Sequence, residues 1–158
     1  MIQLEIVERL KERLSEEIRV LSAAADEAKS AATHAESRAE DQHDTRSTEA
    51  SYLAAGQFQR VYELKNMLRI LIGLPLRKFS VTDRIAIGAL VSLEREKALA
   101  HYFLCPVTGG YKVICAGKEI SVITPQSNLG QELVDKKMGD EIEILSQPGK
   151  ILIIKNVQ

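Results

Sequence analysis

Apolar residues recur early in the chain in steps of four and three: Leu14, Ile18, Leu21, Ala25, Ala28, Ala32, Ala35 and Ala39. That spacing puts them on one stripe of an α-helix and makes the seam of a coiled coil, parallel or antiparallel. The stripe runs without a slip into a polar stretch, Glu40-Asp41-Gln42-His43-Asp44-Thr45-Arg46, and resumes at Ala50, Ala54, Phe58, Val61, Leu64, Leu68 and Leu71. Two helices are therefore predicted, from about Ile2 to about Glu40 and from about Ser47 to about Ile72, folded back on each other as a hairpin. Leu and Ile fill both stripes far from the turn, and Ala fills both near it. Small seam residues let helices approach closely, so the pair is expected to thin toward the turn. At 1.5 Å per residue, roughly 35 to 40 residues make an arm about 50 to 60 Å long.

The pattern changes at Ile72-Gly73-Leu74-Pro75, where a Gly ends the second helix and a Pro cannot continue it. Beyond it, glycines, prolines and clustered Val and Ile replace helical periodicity. Strand-like runs are Ile87 to Leu93 and Ala98 to Cys105, separated by the polar turn Glu94 to Lys97; Tyr111 to Cys115, after Thr108-Gly109-Gly110; and Glu119 to Ile123, after Gly117. A short helix follows, capped by Ser127, with Leu129 and Leu133 inward and Lys136 to Asp140 as its exit. Glu141 to Leu145 and Ile151 to Val157 flank the turn Gln147-Pro148-Gly149-Lys150. The fold class is α+β: residues 1–74 as an antiparallel coiled-coil hairpin with an acidic tip near 40–47, a linker at 75–79, and a small antiparallel β domain with one short helix at 80–158.

Composition narrows the function. The 158 residues are 45% hydrophobic and 27% charged, with a formal net charge of −1, as in soluble globular chains of one ordinary domain or two small ones. A general nucleic-acid binder needs a concentrated excess of Lys and Arg, which is not evident here. The apolar run from Ile70 to Leu76 is too short to span a bilayer, and the first eight residues carry acids, unlike a secretory signal. These features point to a cytoplasmic protein without membrane partners. Cys105 and Cys115 have no nearby His and form neither a metal signature nor a disulfide framework, so both are expected to pack as small apolar side chains. His34, His43 and His101 are scattered, and no Gly-rich phosphate loop or Ser-His-Asp arrangement can be assembled, so the chain does not read as an independent enzyme.

Chemistry concentrates at the turn. Ser47 or Thr48 can cap the second helix, and Asp44 and Glu49 lie where its dipole favours anions. Capping and solvation account for such acids without any function. The alternative is a carboxylate pair, Asp41 and Asp44 with Glu40 as a further candidate, that joins in holding a divalent cation; His43 between them either shares that site or faces solvent. Mg²⁺ prefers oxygen ligands and often takes only one or two protein carboxylates, so such a pair would act by completing a metal position in another protein's acidic site. Chaperone and tRNA-handling coiled coils, by contrast, usually present apolar or basic tips.

The segment Ile120-Ser121-Val122-Ile123-Thr124-Pro125-Gln126-Ser127-Asn128-Leu129-Gly130-Gln131-Glu132-Leu133, continuing through Gly139-Asp140 to Ile144, resembles the signature of the Gre transcript-cleavage factors, GreA and GreB among them. The domain order matches as well, and the likeness covers essentially the whole chain. The resemblance implies an FKBP-like second domain that binds at the rim of the secondary channel of RNA polymerase. It also implies a coil that reaches toward the Mg²⁺ held in the polymerase active site, near the 3′ end of the nascent RNA. Asp41 and Asp44 would then assist, in trans, the polymerase's own cleavage of backtracked RNA; the protein would carry no cofactor and act as a monomer. Isomerase activity would also suit an FKBP-like fold, but Phe79, Tyr102, Phe103 and Tyr111 without any Trp make a poor aromatic proline pocket. The family tip reads Gly-Asp-Leu-Lys-Glu-Asn-Ala-Glu-Tyr, whereas this chain has Asp44-Thr45-Arg46-Ser47-Thr48-Glu49-Ala50-Ser51-Tyr52. Anchored on Ala50 and Tyr52, the family's second acid falls near Ser47 or Thr48. A noncleaving Gre-like or Rnk-like regulator that occupies the channel is the competing expectation.

Overall fold

The computed structural model describes residues 1–38, 45–144 and 148–158, with side chains left undescribed at 35–38. Its elements are α1 (Ile2–Arg38), α2 (Arg46–Ile72), β1 (Leu90–Arg95), β2 (Ala98–Leu104), β3 (Lys112–Cys115), β4 (Lys118–Ile123), α3 (Asn128–Leu133), β5 (Glu141–Glu143) and β6 (Ile151–Val157). This is the expected α+β order. The chain divides into two compact units, one made of Lys11–Arg69 and the other of Met1–Leu10 with Ile70–Gln158. None of the described helices is long and apolar enough to cross a membrane.

In the helical unit, the α1 seam is as the spacing predicts from Leu14 to Ala32; the side chain of Ala35 and all of Ala39 lie outside what is described. Leu14 and Ala25 are fully buried, Ala32 nearly so, and Ile18, Leu21 and Ala28 are half-buried. Among the buried or half-buried positions of α2, Ser47, Ala50, Ala54, Gln57, Val61, Leu64 and Leu68 follow one another in steps of three and four; Glu63, Asn66, Met67 and Leu71 are buried or half-buried as well. Phe58 is not among them: it is 41% exposed, and Gln57 takes the place expected for it. Lys29, Ala32 and Thr33 from the end of α1 line one groove with Ser51, Ala54, Ala55 and Phe58 from the start of α2, the juxtaposition an antiparallel pair produces.

The other unit is built on a six-stranded sheet in the order β3-β4-β2-β1-β6-β5. The sheet is mixed, which corrects the all-antiparallel expectation: β2 and β4 run parallel, from His101 opposite Ile120 to Leu104 opposite Ile123. The cause is the connection after β2. Cys105 to Tyr111 carry the chain past the place of β4 to the sheet edge, where β3 forms, and the β3–β4 hairpin then returns β4 between β3 and β2. β1 also begins later than the Val and Ile pattern suggests. Gly88 at φ +89° and the Ala89 N–H bond to the Ala86 carbonyl, 3.0 Å, fold residues 86–89 into a turn. The strand instead extends to Arg95, because the β1–β2 turn needs only Glu96 and Lys97, both at positive φ (50° and 70°) as a tight two-residue hairpin turn requires.

Both faces of the sheet are covered. Val91, Leu93, Leu104 and Ile154 form one core with Ile85 and with Leu133 of α3. On the opposite face Leu90, Phe103, Val113, Cys115 and Ile120 are buried. The Cys115 thiol there interacts with Glu5 and Arg9, which puts the first turns of α1 on this face, and Ile6, Val7 and Leu10 are at most 2% exposed. This double burial explains why β1 is buried over four consecutive residues rather than at alternate ones. Phe79, in the segment read as a linker, belongs to the first core, with the Arg77 guanidinium stacked 4.0 Å from its ring centre.

Candidate functional site

The acids on which the sequence reading centres, Glu40, Asp41 and Asp44, and their neighbour His43, lie outside the described residues. What is described is the start of α2 beside them. The Glu49 N–H donates to the Thr45 carbonyl at 3.0 Å, so the helix begins at Arg46, and Ser47 and Thr48 sit inside its first turn rather than capping it. Glu49 is the acid of that turn, placed favourably toward the helix dipole. Tyr52 is 76% exposed. Residues 45–52 thus present hydroxyls, a guanidinium, one carboxylate and an exposed phenol on the side of the turn that is described.

The seam behind this end of the arm narrows on both helices. Going toward the turn, Leu14, Ile18 and Leu21 give way to Ala25, Ala28 and Ala32 on α1, while Leu68, Leu64 and Val61 give way to Ala54 and Ala50 on α2. Gln57 interrupts that series, and its side-chain carbonyl oxygen is buried with no hydrogen-bond partner. Its place was visible in the sequence, three residues after Ala54 and four before Val61, but hydrophobicity favoured its neighbour Phe58.

In the sheet unit, the segment carrying the Gre resemblance folds as one tight piece. Ser127 is the N-cap of α3: its hydroxyl oxygen accepts from the Gly130 N–H at 3.1 Å and its O–H donates to the Thr124 carbonyl at 2.7 Å. Gln131 Nε2 donates to the Gln126 carbonyl at 3.1 Å. Gly130 is buried, and a β-carbon there would collide with the Thr124 carbonyl oxygen. On the far side of Thr124, a β-carbon at Gly109 would come within 2.9 Å of its side-chain methyl. The loop after β2 and the turn before α3 are therefore locked around Thr124. After α3, the chain is tied back through Asp135 N–H to the Ile85 carbonyl and Ile85 N–H to the Lys136 carbonyl, at 3.0 and 2.8 Å. The Lys137 N–H donates to Asp140 Oδ2 at 2.9 Å. Gln126 and Asn128 stay exposed and Pro125 half-exposed on this turn, while Leu129, half-buried, packs against the core beside Leu133.

Titratable groups elsewhere do not converge. Among the described residues, no group of three or more His, Cys, Asp and Glu side chains is placed to hold a metal ion. Cys105 and Cys115 are buried free thiols. Burial pushes both thiols up in pKa; at Cys105 the Thr108 hydroxyl partly opposes it, while at Cys115 Glu5 adds to it and Arg9 opposes it. His34 bonds the Ser30 carbonyl on α1 at 2.8 Å, whereas His101 bonds the Ser92 hydroxyl within the sheet at 2.9 Å. Burial, with Lys118 nearby, lowers the His101 pKa. The Asp83 carboxylate is held below its usual range by the Ser80 N–H first and the Arg77 guanidinium second.

No protein-family model matches the chain, and no curated protein sequence does. Solved structures do align with it along nearly its full length. The GreA factor homolog 1 (Gfh1) of Thermus thermophilus is 18% identical with a TM-score of 0.39, over 94% of this chain and 94% of that one. The Gfh1 of Thermus aquaticus is 16% identical with a TM-score of 0.39, over 93% of this chain and 92% of that one.

Proposed function

We infer that the protein is a transcription elongation factor that binds RNA polymerase and enters its secondary channel with the helical arm. There it stimulates cleavage of backtracked RNA by presenting Asp41 and Asp44, with Glu40 as the further candidate, to the Mg²⁺ of the polymerase. The observation that carries this reading is the joint occurrence of two features in one chain. One is a coiled-coil seam that thins to Ala on both helices as it approaches an acidic turn; the other is the Thr124-to-Asp140 turn and helix with the Gre-like sequence. A thin rod suits a narrow channel, and carboxylates added to an acidic site help bind a second divalent cation and orient the attacking water. The protein itself then needs no cofactor, and the bond-breaking chemistry belongs to the polymerase. The test is cleavage of nascent RNA in stalled, backtracked elongation complexes, with the unmodified protein and with Asp41→Ala and Asp44→Ala. Faster cleavage that either substitution abolishes is the expected result. No stimulation by the unmodified protein removes the cleavage role, and failure to co-purify with polymerase removes the binding role too.

A second reading is favoured by one observation. Ser47 and Thr48, where the family's second tip acid aligns, lie in the first turn of α2 and carry no charge. A tip short of one carboxylate would occupy the channel without completing the metal site, acting as a noncleaving regulator. In the same assay that reading predicts slower nucleotide addition, relieved when the arm is removed, with no gain in cleavage.

A further inference from the structure

On α2, Gln57 and Phe58 compete for one place. At about 100° per residue, a straight line drawn along the helix from Ala54 to Val61 passes between them, leaving each about 50° to one side. Steps of three then four, through Gln57, and of four then three, through Phe58, both satisfy a coiled-coil seam. The structure holds Gln57 toward the seam and Phe58 outward, and three observations mark that choice as poorly satisfied. The Gln57 carbonyl oxygen is buried without a partner, a costly state for a polar atom. Phe58 leaves 41% of its surface exposed. The groove between the helices at this level, about 310 Å³, has Phe58 on its wall and otherwise mainly small side chains, Ala32, Thr33, Ser51, Ala54 and Ala55, with Lys29 at its edge.

We propose that α2 has a second packing arrangement in which a small roll of the helix between Ala54 and Val61 moves the Phe58 ring into this groove and releases the Gln57 amide to water. The exchange gains apolar burial and satisfies the stranded carbonyl, while the altered fit of Ala50, Ala54 and Val61 opposes it. Both arrangements keep the hairpin and its hydrogen bonds. They differ in the direction in which Glu49, Ser51 and Tyr52, one to two turns away, face out of the arm. The arm is thus a two-position element whose bias is set by residue 57, and whatever favours one position re-aims the start of α2.

The experiment places 4-fluorophenylalanine at position 58 of the full chain and measures the fluorine resonance in H₂O and in D₂O, since only a solvent-exposed fluorine shifts fully between the two. It is repeated in Gln57→Leu, which anchors residue 57 in the seam, and in Gln57→Glu, which expels it. The expected result is a full solvent shift for the Leu variant, a shift reduced by at least half for the Glu variant, and an intermediate value or two resonances for the chain with Gln57. Equal, full shifts for Gln57 and Gln57→Leu overturn the proposal. That comparison decides the matter even if circular dichroism shows that the Glu variant has lost helix.

Discussion

The carbonyl oxygen of Thr124 occupies the space that a β-carbon at Gly130 would need. The turn before α3 closes onto the helix so tightly that only glycine fits, and Ser127 completes the closure by bonding both residues. Gly130→Ala is therefore expected to act as an overpacking substitution and to destabilise the sheet unit by about 3 kcal/mol or more, at or beyond the upper end for such changes. Denaturant unfolding followed by far-ultraviolet circular dichroism measures it; a loss below about 0.5 kcal/mol would show that the turn opens at little cost.

Ser127→Ala keeps the turn but removes the cap. A loss of about 1 kcal/mol is expected, and Ser127→Asp should restore most of it, because a carboxylate accepts the same Gly130 N–H. Equal stability of the Ala and Asp variants would show that the hydroxyl's donation to Thr124, which Asp cannot make, is the bond that matters.

His101 should make stability depend on pH. Its folded-state pKa lies below the ordinary value, through burial first and Lys118 second. As pH falls, the unfolded chain therefore takes up this proton before the folded chain does. The contribution of the neutral ring is fully present above about pH 6.5 and is lost as pH falls from there through the lowered folded-state value. Unfolding curves from about pH 7.5 to about pH 5 should show declining stability, with a shallower decline in His101→Gln. An unchanged slope would assign the decline to other groups.

Ala25 is fully buried in the α1 seam. Ala25→Leu adds apolar surface and still should destabilise the helical unit by about 1 to 3 kcal/mol, because the extra volume forces the pair apart. Thermal melts of the full chain read this directly. A rise in melting temperature would show room in the seam that the burial of Ala25 argues against.

The helices were legible because steps of three and four leave little freedom: a stripe with that period cannot be a strand. The same period could not choose between Gln57 and Phe58, since both satisfy it and the hydrophobicity that usually decides points to the wrong one. Strand positions were legible from Val, Ile and turn residues, to within three residues at Leu90 and closer at Ile151. Strand order was not. Nothing in Glu119 to Ile123 tells whether its partner runs parallel or antiparallel, because that depends on where the loop after Leu104 delivers the chain. The Ser127 cap was readable as a local hydroxyl before an apolar pair, but the wedge of Thr124 between Gly109 and Gly130 was not, since it joins residues that the sequence keeps apart. Of the candidate site, Asp41 and Asp44 remain a reading of sequence alone.

The neighbours of β1 set an order of assembly. One edge of β1 pairs with β2, the next strand in the chain, and the other with β6, the last strand of the sheet. The unit that contains them also draws on Met1–Leu10, separated from Ile70 by the whole helical hairpin. On a ribosome, residues 11–69 can pair as soon as they emerge, by local contacts that form quickly. The sheet cannot do so. Until Ile151 to Val157 have been made, β1 keeps an open edge and the first turns of α1 have only an incomplete surface to cover. A nascent chain halted between β5 and β6 would be a finished arm attached to an unfinished, sticky sheet, the form of this protein most exposed to aggregation.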